Sequence, residues 1–359
     1  MPEMTPAPAG VAETHSAWVI FLGDRAYKVK KPVILDFLDF STREAREAAV
    51  HREVELNRRL APDVYLGVAD VLGPAGEVCD HVVMMRRLPA DRRLSALVNA
   101  GVPLDNEIRD IARTMAVFHA GAVTSPAISA AGAPQAISKK VERDLEELRV
   151  FADTDLDVVV LDEATTLIDR YLGGRSALLE ARVADGYIRD GHGDLLADDI
   201  FCLPDGPRII DCIEFDDDLR YGDVLADVAF LAMDLEHLGA PRLAGQLMTS
   251  YREFTNTNHP DTLAHYYIAF RALIRAKVAC VRARQGERGR RAVAGALLAL
   301  AHGHLRRARI RLVLVGGPPG AGKSTVAAGL GERLGWVVLR SDEVRKDVAA
   351  VGRATDAAA

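Results

Sequence analysis

The stretch from 192 to 215 constrains the fold of this chain more than any other. It begins His192-Gly193-Asp194-Leu195-Leu196-Ala197-Asp198-Asp199-Ile200 and ends Ile209-Ile210-Asp211-Cys212-Ile213-Glu214-Phe215. Between these halves lie Phe201-Cys202-Leu203 and the turn-like Pro204-Asp205-Gly206-Pro207, so residues 199 to 213 read as a β-hairpin. A hairpin returns the chain to its start and sets Asp211 beside Asp199 and the His-Gly-Asp loop. Three carboxylates then crowd one end of a small element. Crowded carboxylates repel, which asks for a cation, and oxygen ligands favour Mg²⁺ held together with substrate phosphates. A one-residue slip would turn Asp199 to the other face.

Apolar spacing around the hairpin predicts helices at about 104–120, 138–151 and 162–184 before it, and at 224–238, 241–255 and 260–285 after it. The front of the chain reads differently. Ala17-Trp18-Val19-Ile20-Phe21-Leu22, a Gly23-Asp24 turn and Ala26-Tyr27-Lys28-Val29-Lys30 predict two strands, and His81-Val82-Val83-Met84-Met85 a third, leading into an extended Arg86-Arg87-Leu88-Pro89. Ala26, Lys28 and Lys30 share one face of their strand. A small residue beside a lysine suits a nucleotide, although a solvated lysine face gives the same pattern. Ser41-Thr42-Arg43-Glu44 has the form of a capping box. In the following helix Ala45, Ala49, Leu56 and Leu60 form a stripe with Glu53 in its line, and a carboxylate there wants a cation such as Lys28. The fold class is α+β: a small β-rich lobe joined to a larger helical lobe.

Arg311-Leu312-Val313-Leu314-Val315-Gly316 runs into Gly317-Pro318-Pro319-Gly320-Ala321-Gly322-Lys323-Ser324-Thr325. The strand, the G-x-x-x-x-G-K-[ST] loop and the following helix make a P-loop (Walker A), in which Gly317, Gly320, Gly322, Lys323 and Thr325 cradle phosphates and Ser324 also holds Mg²⁺. The remainder suffices for a helix at 323–334, a strand at 336–340 and a short helix from Asp342. A parallel sheet needs more neighbours than that, so a truncated domain is expected, recognisable and energetically compromised.

With 359 residues the chain is long enough for two domains and a remainder at about 150 residues each. A net charge of -6 and pI near 6.0 offer no basic footprint for nucleic acid, while an acidic balance fits a cationic substrate weakly. Cys79, Cys202, Cys212 and Cys280 have no metal-ligand spacing and read as reduced thiols in a cytoplasmic protein. Neither a signal peptide nor an uncharged run of about 18 residues is expected to direct the chain to a membrane.

Taken together, residues 14 to 285 resemble the aminoglycoside phosphotransferase and choline kinase-like branch of the protein-kinase fold, and 311 to 347 resemble the start of a P-loop kinase or ATPase domain. The order is similar to bacterial two-domain proteins of that type. The resemblance divides the chain into a flexible tail (1–12), a kinase-like N-lobe (13–88), a helical C-lobe carrying the hairpin (89–305) and a truncated P-loop domain (306–359). It implies ATP and Mg²⁺ as cofactors, a small-molecule hydroxyl as phosphate acceptor, and specific roles for residues. Asp194 falls on the base of the H-x-D-x-x-x-x-N loop, while His192 orders that loop by hydrogen bonding rather than moving protons. Asp211 falls on the metal-binding aspartate, and Asp199 stands where the pattern has a metal-binding asparagine. Lys28 lands on the phosphate-contacting lysine, Glu53 on its helical partner, and Met84 to Arg87, with Met85 among them, on the adenine-contacting hinge. Asp223 and Asp227 of Tyr221-Gly222-Asp223-Val224-Leu225-Ala226-Asp227 would brace the loop and the next helix. No G-x-G-x-x-G loop covers the phosphates. Two alternatives stand beside a working kinase: a nucleotide-binding module without transfer, and a P-loop site regulated by the front domain.

Overall fold

Alternating apolar residues in the first third of the chain build a sheet. The computed structural model describes residues 9–14, 16–35, 38–334 and 336–346. Its strands begin with β1 (Gly10–Glu13), β2 (Ala17–Leu22) and β3 (Arg25–Lys30), followed by a short ribbon of β4 (Ile34–Leu35) and β5 (Leu38–Asp39). Helix α1 (Arg43–Asn57) comes next, then β6 (Tyr65–Leu72) and β7 (Val78–Arg86). The five long strands are antiparallel in the order β1-β2-β3-β7-β6. Most of the expected tail, residues 1–8, lies outside the described residues, but Gly10 to Glu13 correct its inner boundary by pairing with Phe21 to Trp18 of β2. β6 escaped the sequence reading because Gly67 and a register shift at Tyr65/Gly67 interrupt its alternation.

Thr42 caps α1, its hydroxyl accepting the Ala45 N–H at 3.2 Å. The helix buries Val50 and Val54 against Val83 and Met85 of β7 and against Val64 and Tyr65, making a small core. That apolar surface repays the burial of Glu53, since each fully buried valine or methionine contributes about 1.5–3 kcal/mol.

The second lobe is helical: α2 (Leu94–Asn99), α3 (Asp105–Gly121), α4 (Pro126–Ala130), α5 (Pro134–Arg149), α6 (Val158–Gly173) and α7 (Ser176–Ala184) precede the hairpin. A helix expected to run unbroken from 162 to 184 is two helices, because Gly173-Gly174-Arg175 interrupts it and Gly174 caps α6; each glycine costs a helix interior about 1 kcal/mol. Then come β8 (Ile188–Asp190), the hairpin β9 (Ile200–Leu203) and β10 (Gly206–Ile209), and β11 (Tyr221–Asp223), which pairs with β8. Leu203 pairs with Gly206, so the turn is Pro204-Asp205, narrower than the four residues its composition suggests. Helices α8 (Val224–His237), α9 (Pro241–Thr255), α10 (Asp261–Arg284) and α11 (Arg290–Ala308) complete one continuous core. Within it α8 is buried on nearly every side.

The chain divides into two compact units, Met1–Arg309 and Ile310–Ala359. In the second, α12 (Lys323–Leu334) follows the glycine-rich loop as expected, but the strands expected at 311–316 and 336–340 are absent among the described residues. Leu312, Leu314, Val337 and Leu339 are exposed instead. A strand exists only as part of a hydrogen-bonded ladder, and this unit supplies these segments with no partner strand among its described residues.

Candidate active site

The loop after β8 is fixed from beneath by a helix. Asp227 of α8 is buried, and its carboxylate accepts the His192 N–H at 2.6 Å, the Gly193 N–H at 2.9 Å and a hydrogen bond from His119 Nε2 at 3.2 Å. Burial alone would raise its pKa, but the His119 hydrogen bond and the electrostatic influence of His119, His192 and Arg271 hold it well below the usual carboxylate range. Gly191 is required here, since a Cβ would meet Asp227 Oδ2 at 2.3 Å. Gly193 takes φ +90, a conformation that favours glycine. His192 is fully buried, donates through Nε2 to the Ile210 carbonyl at 3.0 Å, and is kept neutral by that burial. Asp223 caps α8 at the Leu225 N–H and binds Arg182 through two hydrogen bonds of 2.8 and 2.6 Å, so it fixes the helix and not the loop.

The hairpin delivers Asp211 as its register dictates. The Asp199 carbonyl accepts the Ile210 N–H at 2.9 Å, one step beyond the Ile200–Ile209 pair. Asp211 follows with φ +64, a left-handed conformation that costs roughly 1–2 kcal/mol. Two residues of the sheet lobe offset that cost: the Tyr65 hydroxyl accepts the Asp211 N–H at 3.2 Å, and Asn57 Oδ1 accepts the Cys212 N–H at 2.8 Å.

Lys28 connects the lobes. Its Nζ lies 2.9 Å from Glu53 Oε1 and 2.5 Å from Asp211 Oδ1. Lys30, two residues on and on the same face, is buried and meets Glu53 Oε2 at 2.6 Å and Glu214 Oε1. Burial opposes the charge on Lys28, but Asp211, Glu53 and Glu214 outweigh it and raise its pKa well above that of free lysine. Burial likewise opposes ionisation of Glu53, and the two lysines overcome it. Met85 pairs with Ala26 across β7 and β3, both side chains being buried, with Phe21, Leu88 and Ile210 packed against the same cluster.

Three carboxylates act on one another across the hairpin end. Asp199 is raised well above the carboxylate range by burial and then by the charges of Asp211, Asp194 and Asp198, while Asp211 is lowered mainly by Lys28. Asp194 is raised, chiefly by burial, and Arg275, His192 and Arg271 moderate the rise. Among the described residues no three such ligands converge as a ready-made metal cage. Mg²⁺ needs none, because it commonly takes one or two carboxylates together with substrate phosphates. The repulsion that lifts Asp199 is what a divalent cation relieves, so the oxygen donors Asp199 and Asp211 fit Mg²⁺.

In the second unit, Gly317, Gly320 and Gly322 take φ +155, +78 and +77, and Lys323 Nζ donates to the Pro318 carbonyl within the loop at 2.7 Å. Ser324 and Thr325 lie in the first turn of α12. These residues and those of the hairpin belong to separate units.

Several residues of the site were not singled out from sequence. Lys30 and Glu214 carried a signal, one by sharing the Lys28 face and the other by lying in the hairpin stretch. Asn57, Tyr65, Arg271 and Arg275 carried none, because only the packing brings them to the loop. All four cysteines are free thiols, three of them buried. No helix among the described residues is long and apolar enough to cross a membrane.

Comparison with known proteins bears on the family and the fold. Residues 22–266 match the model of the phosphotransferase enzyme family, and residues 312–358 match an AAA domain. Uncharacterized proteins of Mycobacterium tuberculosis and Mycobacterium bovis are 44% identical over 336 residues, covering 94% of this chain and 68% of theirs. The solved structure of an ethanolamine kinase from Plasmodium vivax superposes with a TM-score of 0.52 at 10% identity, covering 84% of this chain and 83% of that one. That likeness shows a protein-kinase-like fold, with a β-sheet lobe and a helical lobe. Because the phosphotransferase match spans more than half of the sequence, the chain belongs to the phosphotransferase enzyme family.

Proposed function

We propose that the chain is a cytoplasmic ATP- and Mg²⁺-dependent kinase that phosphorylates a hydroxyl group of a small molecule, with its reacting groups in the unit Met1–Arg309. One observation carries the reading: Lys28, held by Glu53 at 2.9 Å, meets Asp211 at 2.5 Å, so a phosphate-neutralising cation and a hairpin carboxylate share one point beside the loop of Asp194. Asp194 is partly exposed and makes no hydrogen bond among the described residues, which leaves its carboxylate free for an acceptor hydroxyl. The hydroxyl oxygen bonds to the γ-phosphorus, the bond to the ADP oxygen breaks, and the hydroxyl proton passes to Asp194. Lys28 offsets phosphate charge, and Ala26 and Met85 offer an apolar seat for the base. Mg²⁺ held by Asp199 and Asp211 would supply neutralisation of the phosphate charge.

The test is mass-spectrometric detection of phosphorylated products after incubation with ATP, Mg²⁺ and a mixture of hydroxyl compounds. Lys28→Met is expected to suppress transfer and Lys323→Met to preserve it. Nucleotide binding without a phosphorylated product would refute the kinase, and the opposite behaviour of the two variants would move the working site to the P-loop.

A pH profile gives a second check. Asp194 accepts a proton only when ionised, so activity falls as pH drops through its raised pKa. The acid limb of kcat/KM is expected above the ordinary carboxylate range near about 4. A limb at or below that range would exclude Asp194 as the base.

A further inference from the structure

Building on the kinase reading above, we infer that the phosphate acceptor is an anion: a hydroxyl compound that also carries a carboxylate or a phosphate, received by Arg271 and Arg275 of α10 and Lys140 of α5. Arg271 and Arg275 are one turn apart and therefore share a face of α10. Helix α5 is tied to α10 by Lys277, whose Nζ donates to Asp144 at 2.8 Å and to Glu147 at 2.6 Å, one turn and two turns past Lys140. Arg271 is held in place, its guanidinium carbon 4.7 Å from the centre of the Phe230 ring, and Phe230 lies one turn beyond the loop anchor Asp227.

These three cations lie partly buried, yet none makes a hydrogen bond or ion pair to a protein carboxylate among the described residues. Arg271 also acts on Lys140. Burial lowers the Lys140 pKa to about 8, and the charges of Arg271 and Arg143 add to that effect. Arg271, stacked on Phe230 one turn past Asp227, lies beside the loop whose Gly193 N–H Asp227 holds, and the charges of Arg275 and Arg271 both favour ionised Asp194 in that loop. Like charges held together without partners are completed by an anion, and guanidinium groups suit carboxylate and phosphate geometry.

Apart from Asp194, whose carboxylate faces the acceptor hydroxyl in the kinase reading, the nearby carboxylates are already engaged. Asp227 is committed to the loop, Asp144 to Lys277, Asp217 to Arg220 and Arg52, and Asp216 to the Asp218 N–H. Of the acidic run 216–218, Asp217 is the member that is ion-paired among the described residues, to Arg220 and Arg52. A polycationic acceptor would meet Arg271, Arg275 and Lys140, none of which is ion-paired to a carboxylate among the described residues.

Steady-state transfer by the full chain tests the inference with matched acceptors: glycerol against D-glycerate, ribose against ribose 5-phosphate, and ethanolamine and kanamycin as cationic members. The anionic member of at least one pair is expected to be phosphorylated with the highest kcat/KM, and the two pairs separate a carboxylate from a phosphate. The double variant Arg271→Gln, Arg275→Gln should lose roughly tenfold to hundredfold in kcat/KM for that acceptor, mainly through KM, as expected for removing charged hydrogen bonds. Lys140→Gln should act in the same direction from another helix, and Arg275→Lys should restore part of the loss. Preferred transfer to the cationic or neutral members, or unchanged discrimination in the variants, overturns the anionic acceptor while the kinase stands. Phosphorylation of no acceptor by a chain that binds ATP overturns the kinase reading and this inference together.

Discussion

Replacing Asp194 with asparagine is expected to lower kcat for phosphoryl transfer by about 10²- to 10⁴-fold while ATP and Mg²⁺ still bind. Asparagine keeps the shape of the side chain and removes the site that takes the hydroxyl proton. The fold should tolerate the change well. Asp194 makes no hydrogen bond among the described residues, and its pKa is raised by burial, so its ionised form at neutral pH is held at a cost. An uncharged replacement removes that cost, and the variant should unfold at the same temperature as the parent chain or a higher one. Turnover by rapid-quench kinetics, nucleotide affinity by calorimetry and Tm form the necessary set of measurements. Near-parental turnover would show that another group accepts the proton, and loss of nucleotide binding would show that Asp194 holds the nucleotide.

Asp227→Ala is expected to have the largest effect on stability, about 3–5 kcal/mol, the range for breaking a buried charged network by removing one partner. The substitution leaves the His192 and Gly193 N–H groups and His119 Nε2 without an acceptor in a buried site. The loop that carries Asp194 would lose its anchor, so kcat should fall with stability. Asp227→Asn retains one acceptor oxygen and should lose less. The sign of the pH dependence follows from the depressed pKa of Asp227. The unfolded chain has an aspartate near about 3.9, so the stabilisation is complete above that value and is lost as pH falls below it toward the folded-state pKa. The gap between parent and variant in chemical denaturation should therefore narrow in acid. A loss under about 1 kcal/mol at neutral pH, the net value of an ordinary hydrogen bond, would contradict the anchoring role.

These two aspartates show how differently a site can be written in a chain. Asp194 and Asp211 were readable because a turn-forming Pro204-Asp205 between apolar runs fixes a hairpin, and a hairpin fixes which residues meet. Lys28 and Glu53 were readable as a strand residue and a helix residue with complementary charge, and the sheet then sets them 2.9 Å apart. Lys30 was harder. In sequence it is a second lysine on a solvated face, yet it is buried against Glu53 and Glu214 because α1 and the end of the hairpin close over it. The strands expected around the P-loop failed for the converse reason: local pattern favours them, but a ladder needs a neighbour.

Sequence alone determined the α+β class, the hairpin and its aspartates, the Lys28 strand, the capped helix of Glu53 and the P-loop motif. Each is set by periodicity or turn chemistry over a few residues, and such short-range preferences survive in any context. Tertiary structure alone decided what those residues experience. The left-handed backbone of Asp211 is supported by Tyr65 and Asn57 of the other lobe, and the loop of Asp194 by Asp227 of a buried helix. The guanidinium groups of α10 come to act on Asp194 only when the helical lobe packs. Charge and burial depend on neighbours far away in the chain, and no local pattern encodes which neighbours those will be.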